Sequence, residues 1–238
     1  MELTKNQIKE LKDKKFRKNN DLFFVEGEKF CRDLLKSDVK ILHTITRNKN
    51  LKGFPNIVVV DEKTLKSLAT TVTPQDVICV CVKKFKENKP IGNSLILDRI
   101  QDPGNVGTLI RSALAFGFND IYLIDSADAY NEKVIRSSVG AVLSANIHKI
   151  SLNDLIKEKD EIAENFIVAD MVGENLKDFK KKRGRTALIV GNEGAGVCDE
   201  LINISNIKLS IPMTSKIESL NAGVAGSIIM QKIFENFN

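Results

Sequence analysis

Short apolar runs alternate with stretches whose apolar residues recur at three- and four-residue intervals, and the alternation is sustained along most of the chain. In the first third, runs at Leu22–Val25, Ile41–Thr46, Ile57–Val60 and Val77–Val82 read as strands, and Glu28–Leu35 and Thr64–Leu68 read as helices. A lysine-rich helix precedes them, with Ile8 and Leu11 facing inward. The stretch from Lys83 to Asn93 is charged, contains Pro90 and Gly92 and lacks an apolar period, as a linker does. Beyond it, strands are expected at Leu95–Leu97, Ile121–Ile124, Ala145–Ile147, Phe166–Ala169, Ala187–Val190 and Ile207–Ile211, with helices between most of them. The pattern predicts an α/β protein: a small α/β domain over residues 1–85, a linker over 86–93, and a domain over 94–238 built on a mostly parallel sheet covered on both faces. The last helix, about Asn221–Phe237, is apolar or small round most of its circumference, at Ala222, Val224, Ala225, Ile228 and Ile229. Such a helix needs cover on more than one side, and a second copy of the chain is the simplest cover, so a homodimer through this domain is expected.

Length supports the division, because 238 residues exceed the usual size of one hydrophobic core. The net charge of +5 is mild, but it is concentrated near the start. Between Lys5 and Lys18 lie Lys9, Lys12, Lys14, Lys15 and Arg17, opposed only by Glu10 and Asp13. That density suits a phosphate backbone and equally suits a solvated helix face. A second basic run, Lys180-Lys181-Lys182-Arg183 with Arg185 beyond, reads either as more RNA surface or as a charged loop before a strand. Cys31, Cys79, Cys81 and Cys198 have neither a paired C-x-x-C spacing nor nearby histidines, which argues against zinc and a disulfide framework and for buried thiols. No apolar leader and no run of membrane-spanning length is apparent, so a cytoplasmic protein without membrane contact is expected. The absence of G-x-G-x-x-G after the first strand of either domain, and of G-x-x-x-x-G-K-[ST] anywhere, argues against a nicotinamide oxidoreductase and a P-loop phosphotransferase.

Candidate chemistry gathers in the second domain. Gly191-Asn192-Glu193-Gly194-Ala195-Gly196 and Ile211-Pro212-Met213, running on to Ser219-Leu220-Asn221, each follow a strand-like run, so their backbone groups are expected to face one pocket suited to a nucleotide-like ligand. Earlier, Asp98 to Gly107 joins a strand to a helix and places Asn105 at a sheet edge, where it can cap a helix beginning near Val106 or serve a ligand. Arg111 lies about 140° round that helix from Val106, off the core stripe of Val106, Leu109, Ile110 and Ala113. It reads as a solvated arginine or as a functional one. Glu193 reads as a turn residue before a helix near Val197 or as a site residue. Ser219 can cap the last helix, and Asn221 can bond neighbouring loops.

Taken in order, Asn105-x-Gly107-x-x-x-Arg111, Gly191-x-Glu193-x-x-Gly196, and Ile211-Pro212-Met213 with Ser219-Leu220-Asn221 resemble the SpoU-type (TrmH-like) RNA ribose 2′-O-methyltransferases of the SPOUT superfamily. The likeness covers residues 94–238, and residues 1–85, with Glu26-Gly27-Glu28, look like the RNA substrate-binding domain that often precedes this catalytic domain. The resemblance implies a C-terminal trefoil knot that holds S-adenosylmethionine, with Gly191, Ile211 and Leu220 as main contacts and Ser219 and Asn221 beside them. It implies Asn105, Arg111 and Glu193 as the catalytic set. Arg111 would bind the RNA phosphate and hydroxyl, or itself take the proton; Asn105 would orient the ribose or Arg111; Glu193 would order the site near the donor and a partner subunit without transferring a proton. His43, in the first domain, and His148, outside the motifs, are unattractive as bases. The implied substrate is structured RNA, ribosomal before transfer RNA; the alternatives are a transfer RNA ribose methyltransferase and a noncatalytic RNA-binding or ribosome-assembly factor. Ser215 and Gly223 depart from the family pattern and bring the geometry of the last loop into question.

Overall fold

The computed structural model describes residues 4–235 apart from Asn88, Lys181, Lys182 and Ser215, and the chain divides into two compact units, Met1–Lys84 and Phe85–Asn238. The proposed RNA contacts at Lys181 and Lys182, the departure at Ser215 and the expected helix end at Phe237 lie outside the described residues.

The basic N-terminal segment is two helices rather than one, α1 (Lys5–Lys12) and α2 (Lys14–Asn19). Asp13 breaks it, because its carboxylate accepts from the Lys15 N–H at 2.8 Å and so caps α2. Arg17 does not join the basic face expected of it. Its guanidinium turns inward, donates to the Leu11 carbonyl at 2.5 Å and lies 4.4 Å from the centre of the Phe24 ring, while Lys9, Lys12, Lys14, Lys15 and Lys18 stay exposed. The rest of the unit comprises β1 (Leu22–Glu26), α3 (Glu28–Leu34), β2 (Ile41–Thr46), β3 (Ile57–Val59), α4 (Glu62–Leu68) and β4 (Val77–Val82). Its sheet has the order β1-β4-β2-β3, with β4 antiparallel to both neighbours and β2 parallel to β3. Phe24, Ile45, Ile78 and Val80 of the sheet pack on Leu65 and Leu68 of α4 and Leu11 of α1. Cys31, Cys79 and Cys81 are buried thiols.

Glu26, at the end of β1, clasps the loop before β4. It accepts from the backbone N–H and hydroxyl of Thr70, from both groups of Thr71, and from the Gln75 N–H. Burial opposes the charge, but the hydrogen bonds from Thr71, Gln75 and Thr70 outweigh it and hold the carboxyl below its ordinary value of 4.5. A carboxyl whose folded pKa is lowered contributes stability above its unfolded value and loses it as pH falls through the folded one. The first unit should therefore weaken as pH drops below 4.5. Glu26→Gln, which turns an amide N–H₂ toward these donors, is expected to cost about 2 kcal/mol at neutral pH and to abolish that acid-side loss, read from urea midpoints at several pH values.

The second unit holds β5 (Asn93–Asp98), α5 (Pro103–Ala115), β6 (Phe118–Ile124), α6 (Glu132–Ser137), β7 (Asn146–Lys149), α7 (Leu152–Lys157), α8 (Lys159–Ile162), β8 (Asn165–Asn175), β9 (Thr186–Gly191), α9 (Asp199–Ile204), β10 (Ile207–Ser210) and α10 (Ala222–Glu235). Every pairing in its sheet, of order β10-β8-β9-β5-β6-β7, is parallel. One face carries Ile96, Ile124, Phe166, Val168 and Ile189 against Leu155, Ile162 and Leu201 of α7, α8 and α9. On the other, α5 and α10 pack together, with Val106, Leu109, Ile110, Ile229, Met230 and Ile233 buried. Gly107 lets α5 reach α6, because a Cβ there would sit 1.9 Å from Ser137 Oγ and 2.9 Å from the Ser138 nitrogen. His148 is engaged in the core, its Nε2 2.9 Å from Asp120 Oδ1 and its ring stacked on Tyr122. Arg185 is likewise tied into the fold, bonded to Glu164 and to the Glu161 and Pro90 carbonyls.

The order of strands matters for function. After β5, β6 and β7 the chain crosses to the far side of β5, lays down β8, fits β9 between β8 and β5, and adds β10 at the edge before α10 returns to α5. The sheet thus reverses direction beside β5, and ligand sites of parallel α/β sheets form at the carboxyl ends of strands around such a point.

Candidate active site

The carboxyl ends of β5 and β9 are adjacent, with Asp98 opposite Gly191. Asp98 is buried, and it organises the loops that leave both strands. It holds the Arg99 guanidinium with both oxygens, at 2.9 and 3.0 Å, and accepts from the Cys198 N–H at 2.8 Å. The hydrogen bond to Asp98 raises the pKa of Arg99 above its ordinary range. Arg99 adopts a left-handed φ of 57° and donates also to the Gly196 carbonyl, and its own carbonyl accepts from Asn192 Nδ2 at 3.0 Å. Asn192 closes the glycine-rich loop, pairing with Gly196 through both backbone groups and accepting the Gly194 and Ala195 N–H on its side-chain oxygen. Gly191 is required by close approach: a Cβ there would meet the Gly196 carbonyl carbon and the Val197 nitrogen at 2.4 Å.

Asp102, not Asn105, caps α5, which begins at Pro103. The Asn105 and Gly104 N–H groups and Lys133 hold the Asp102 carboxyl below its ordinary range. The Asn105 side chain is thereby free to bond elsewhere: Nδ2 donates to Glu193 Oε1 at 2.7 Å, and Oδ1 accepts from Asn221 Nδ2 at 2.8 Å. Asn221 rather than Ser219 caps α10, accepting the Val224 N–H at 3.2 Å. Glu193 precedes α9 by several residues, since that helix starts at Asp199 and not near Val197. Gly223 is buried in the first turn of α10 against Thr108, so this departure falls on helix packing rather than on the loop before it.

A cavity of about 610 Å³ opens beside the middle of β8 and at the carboxyl ends of β9 and β10. Gly191, Glu193, Ile211, Ser219 and Leu220 line it. Asn105 and Asn221 do not line it but tie its walls together, and Arg111 neither lines it nor touches the Asn105 cluster. Arg111 is exposed on α5 and has no ion pair or hydrogen bond among the described residues. Among the described residues, the charged groups of the wall are all acidic: Asp170, Glu193, Asp199 and Glu218. Sequence reasoning missed Asp98, Arg99, Asn192 and Asp170. A charged pair closing an otherwise apolar strand was the available signal for the first two. Asp170 lies on an excursion of β8, where the register with β10 jumps from Val168 to Glu174 between Lys208 and Leu209, and no sequence pattern marks it.

A parallel α/β sheet whose strand order reverses beside β5, with a glycine-rich cradle and a cavity at that point, is an arrangement suited to binding a nucleotide or cofactor. Residues 92–231 match the SpoU rRNA Methylase family, and residues 5–79 match the MRM3-like substrate binding domain. The chain is 31% identical over 241 aligned residues, covering 97% of both chains, to the 23S rRNA (guanosine(2553)-2′-O)-methyltransferase RlmP of Bacillus subtilis. Its fold is similar to that of an AdoMet-bound rRNA methyltransferase from Sinorhizobium meliloti, with a TM-score of 0.89, 24% identity and coverage of 100% and 98% of the two chains. It is also similar to the SpoU methyltransferase AviRb from Streptomyces viridochromogenes, with a TM-score of 0.85, 20% identity and 98% coverage of each chain. The chain belongs to the SpoU rRNA methylase family.

Proposed function

We propose that this protein is an S-adenosylmethionine-dependent methyltransferase that modifies a ribose 2′-hydroxyl in ribosomal RNA. The observation that carries this reading is the cavity of about 610 Å³ beneath the Gly191–Gly196 loop, in a chain of this family. Its residues fit the donor. Gly191 leaves room for backbone approach, Leu209, Ile211 and Leu220 supply apolar wall, and four carboxylates with no basic side chain among the described lining residues suit a ligand carrying a sulfonium cation. Once bound, S-adenosylmethionine supplies an electrophilic methyl group.

The remaining work is positioning and charge. Arg111 offers five N–H donors on an exposed helix face, and we assign it the RNA phosphate and the ribose oxygen as negative charge develops there. A guanidinium, which keeps its proton in proteins, is a poor proton acceptor. The exposed lysines of α1 and α2 and the substrate-binding likeness of the first unit support a role for it in gripping RNA. Ribosomal RNA is the preferred substrate because the Bacillus relative that matches nearly end to end is named for it. A bacterial ribosomal RNA substrate such as that named for the Bacillus relative would set its work in the cytoplasm, and among the described residues no helix is long and apolar enough to cross a membrane.

Two further features belong to this reading. The return of the chain from β10 at the sheet edge to α10 beside α5 supports the trefoil knot of this reading. Val224, Ile228 and Phe234 stand 45%, 37% and 37% exposed along α10, which supports a homodimer packed on this helix. A dimer also gives Arg111 a use, since it does not line the cavity of its own chain.

Methyl-labelled donor and ribosomal or transfer RNA from cells lacking the protein test the reaction. Label is expected in ribosomal RNA, recovered as a 2′-O-methylnucleoside after digestion. Label in transfer RNA alone would reassign the substrate, and donor binding without any transfer would mark a noncatalytic RNA-binding factor.

A further inference from the structure

Three segments of the second unit meet in a line of side chains whose hydrogen-bonding direction is fixed by its last member. The Val224 N–H can only donate, and it reaches Asn221 Oδ1 at 3.2 Å. Asn221 must then present Nδ2 to its other neighbour, and it donates to Asn105 Oδ1 at 2.8 Å. Asn105 has only Nδ2 left, which donates to Glu193 Oε1 at 2.7 Å. A backbone N–H thus decides which end of each amide is oxygen, and a carboxylate, acceptor only, ends the line with no donor facing donor.

Each member sits on a different piece of the fold. Glu193 belongs to the glycine-rich loop after β9, Asn105 to the first turn of α5, and Asn221 to the start of α10. Asn221 directly follows Ser219 and Leu220, which line the cavity.

We propose that Glu193, Asn105 and Asn221 form a directional relay that positions the start of α10, and with it the cavity wall at Ser219 and Leu220, and that Glu193 serves there as an acceptor without exchanging a proton with substrate. This rests on the donor-binding reading of the cavity. Asn105 and Glu193 are then positioning residues, and Arg111 alone of the three faces RNA.

A pair of substitutions tests the direction. Asn105→Asp sets two carboxylates against each other where one donor stood, and like charges at hydrogen-bonding distance disfavour the arrangement. Transfer should fall roughly 30-fold and the Val224 amide should exchange with solvent faster, because a hydrogen bond to a charged group is lost. Glu193→Gln alone keeps an acceptor oxygen but loses the charge, and should cost roughly fivefold. In the double variant N105D/E193Q, the new amide can donate to the new carboxylate, which still accepts from Asn221. Most of the loss caused by N105D should be recovered, together with Val224 amide protection.

Recovery to within a few-fold of the E193Q single variant supports the relay. It is overturned if the double variant is no better than N105D, or if E193Q abolishes transfer while donor affinity and Val224 protection match the parent protein. If the parent protein neither binds donor nor transfers methyl, the reading of the cavity fails instead. Exchange at Val224 would then still report whether N105D breaks the line and E193Q mends it.

Discussion

Replacing Arg111 by alanine is expected to lower methyl transfer about 10²–10³-fold, the range seen when one preorganised charge-stabilising donor is removed. Donor affinity should stay within about twofold, because Arg111 lies outside the cavity wall and no described residue depends on it for a hydrogen bond. The separation of these two readouts is the point of the experiment. A side chain that shaped the donor pocket would move both, and a merely solvated arginine would move neither. Arg111→Lys should recover part of the activity, since charge is kept while the planar fork that grips phosphate and hydroxyl together is lost. Single-turnover transfer and calorimetry with S-adenosylmethionine, run on the same preparations, provide the comparison.

Gly191→Ala should act in the opposite way, on the donor before the chemistry. The added Cβ would fall 2.4 Å from both the Gly196 carbonyl carbon and the Val197 nitrogen, backbone atoms held by the Asn192 pairing and by the bond from Cys198 N–H to Asp98. Neither can retreat as the end of a flexible side chain would, so the loop must shift as a unit. Overpacking of this kind costs about 1–3 kcal/mol, which corresponds to a 5–150-fold weaker donor if the strain is relieved on opening the cradle. Gly194→Ala supplies the comparison. Its Cβ would meet only Asn192 Oδ1, at 3.7 Å, so its effect on thermal stability should be far smaller. Equal effects of the two alanines on donor affinity and melting temperature would dissociate the cradle geometry from binding.

Legibility differed sharply between the strands and the site. Runs such as Ile41–Thr46 and Val77–Val82 match the observed strands residue for residue, because they are apolar, β-branched and bounded by polar segments. The strand at Phe166–Ala169 was expected to stop where β8 instead runs on to Asn175, since its later residues are exposed and held by register with β10 rather than by burial. The two helix caps differ from the sequence expectation for one reason. Both Asn105 and Ser219 have side chains able to cap, and only the turn geometry reveals that Asp102 and Asn221 occupy those positions.

What the sequence determined by itself was the set of elements and the identity of the motifs, because apolar period, glycine and asparagine placement, and their order along the chain are local properties. Partnership was decided by tertiary structure alone. Asn105 and Asn221 are 116 positions apart, and Asp98 and Cys198 are 100 apart, yet each pair is bonded across the carboxyl edge of the sheet. Arg17 and Arg111 show the same limit: both are cations beside an apolar stripe, and one is buried over Phe24 while the other faces water. Hydrogen bonds and charge depend on distances of a few ångströms, which the order of β5, β8, β9 and β10 sets and no short stretch of chain contains.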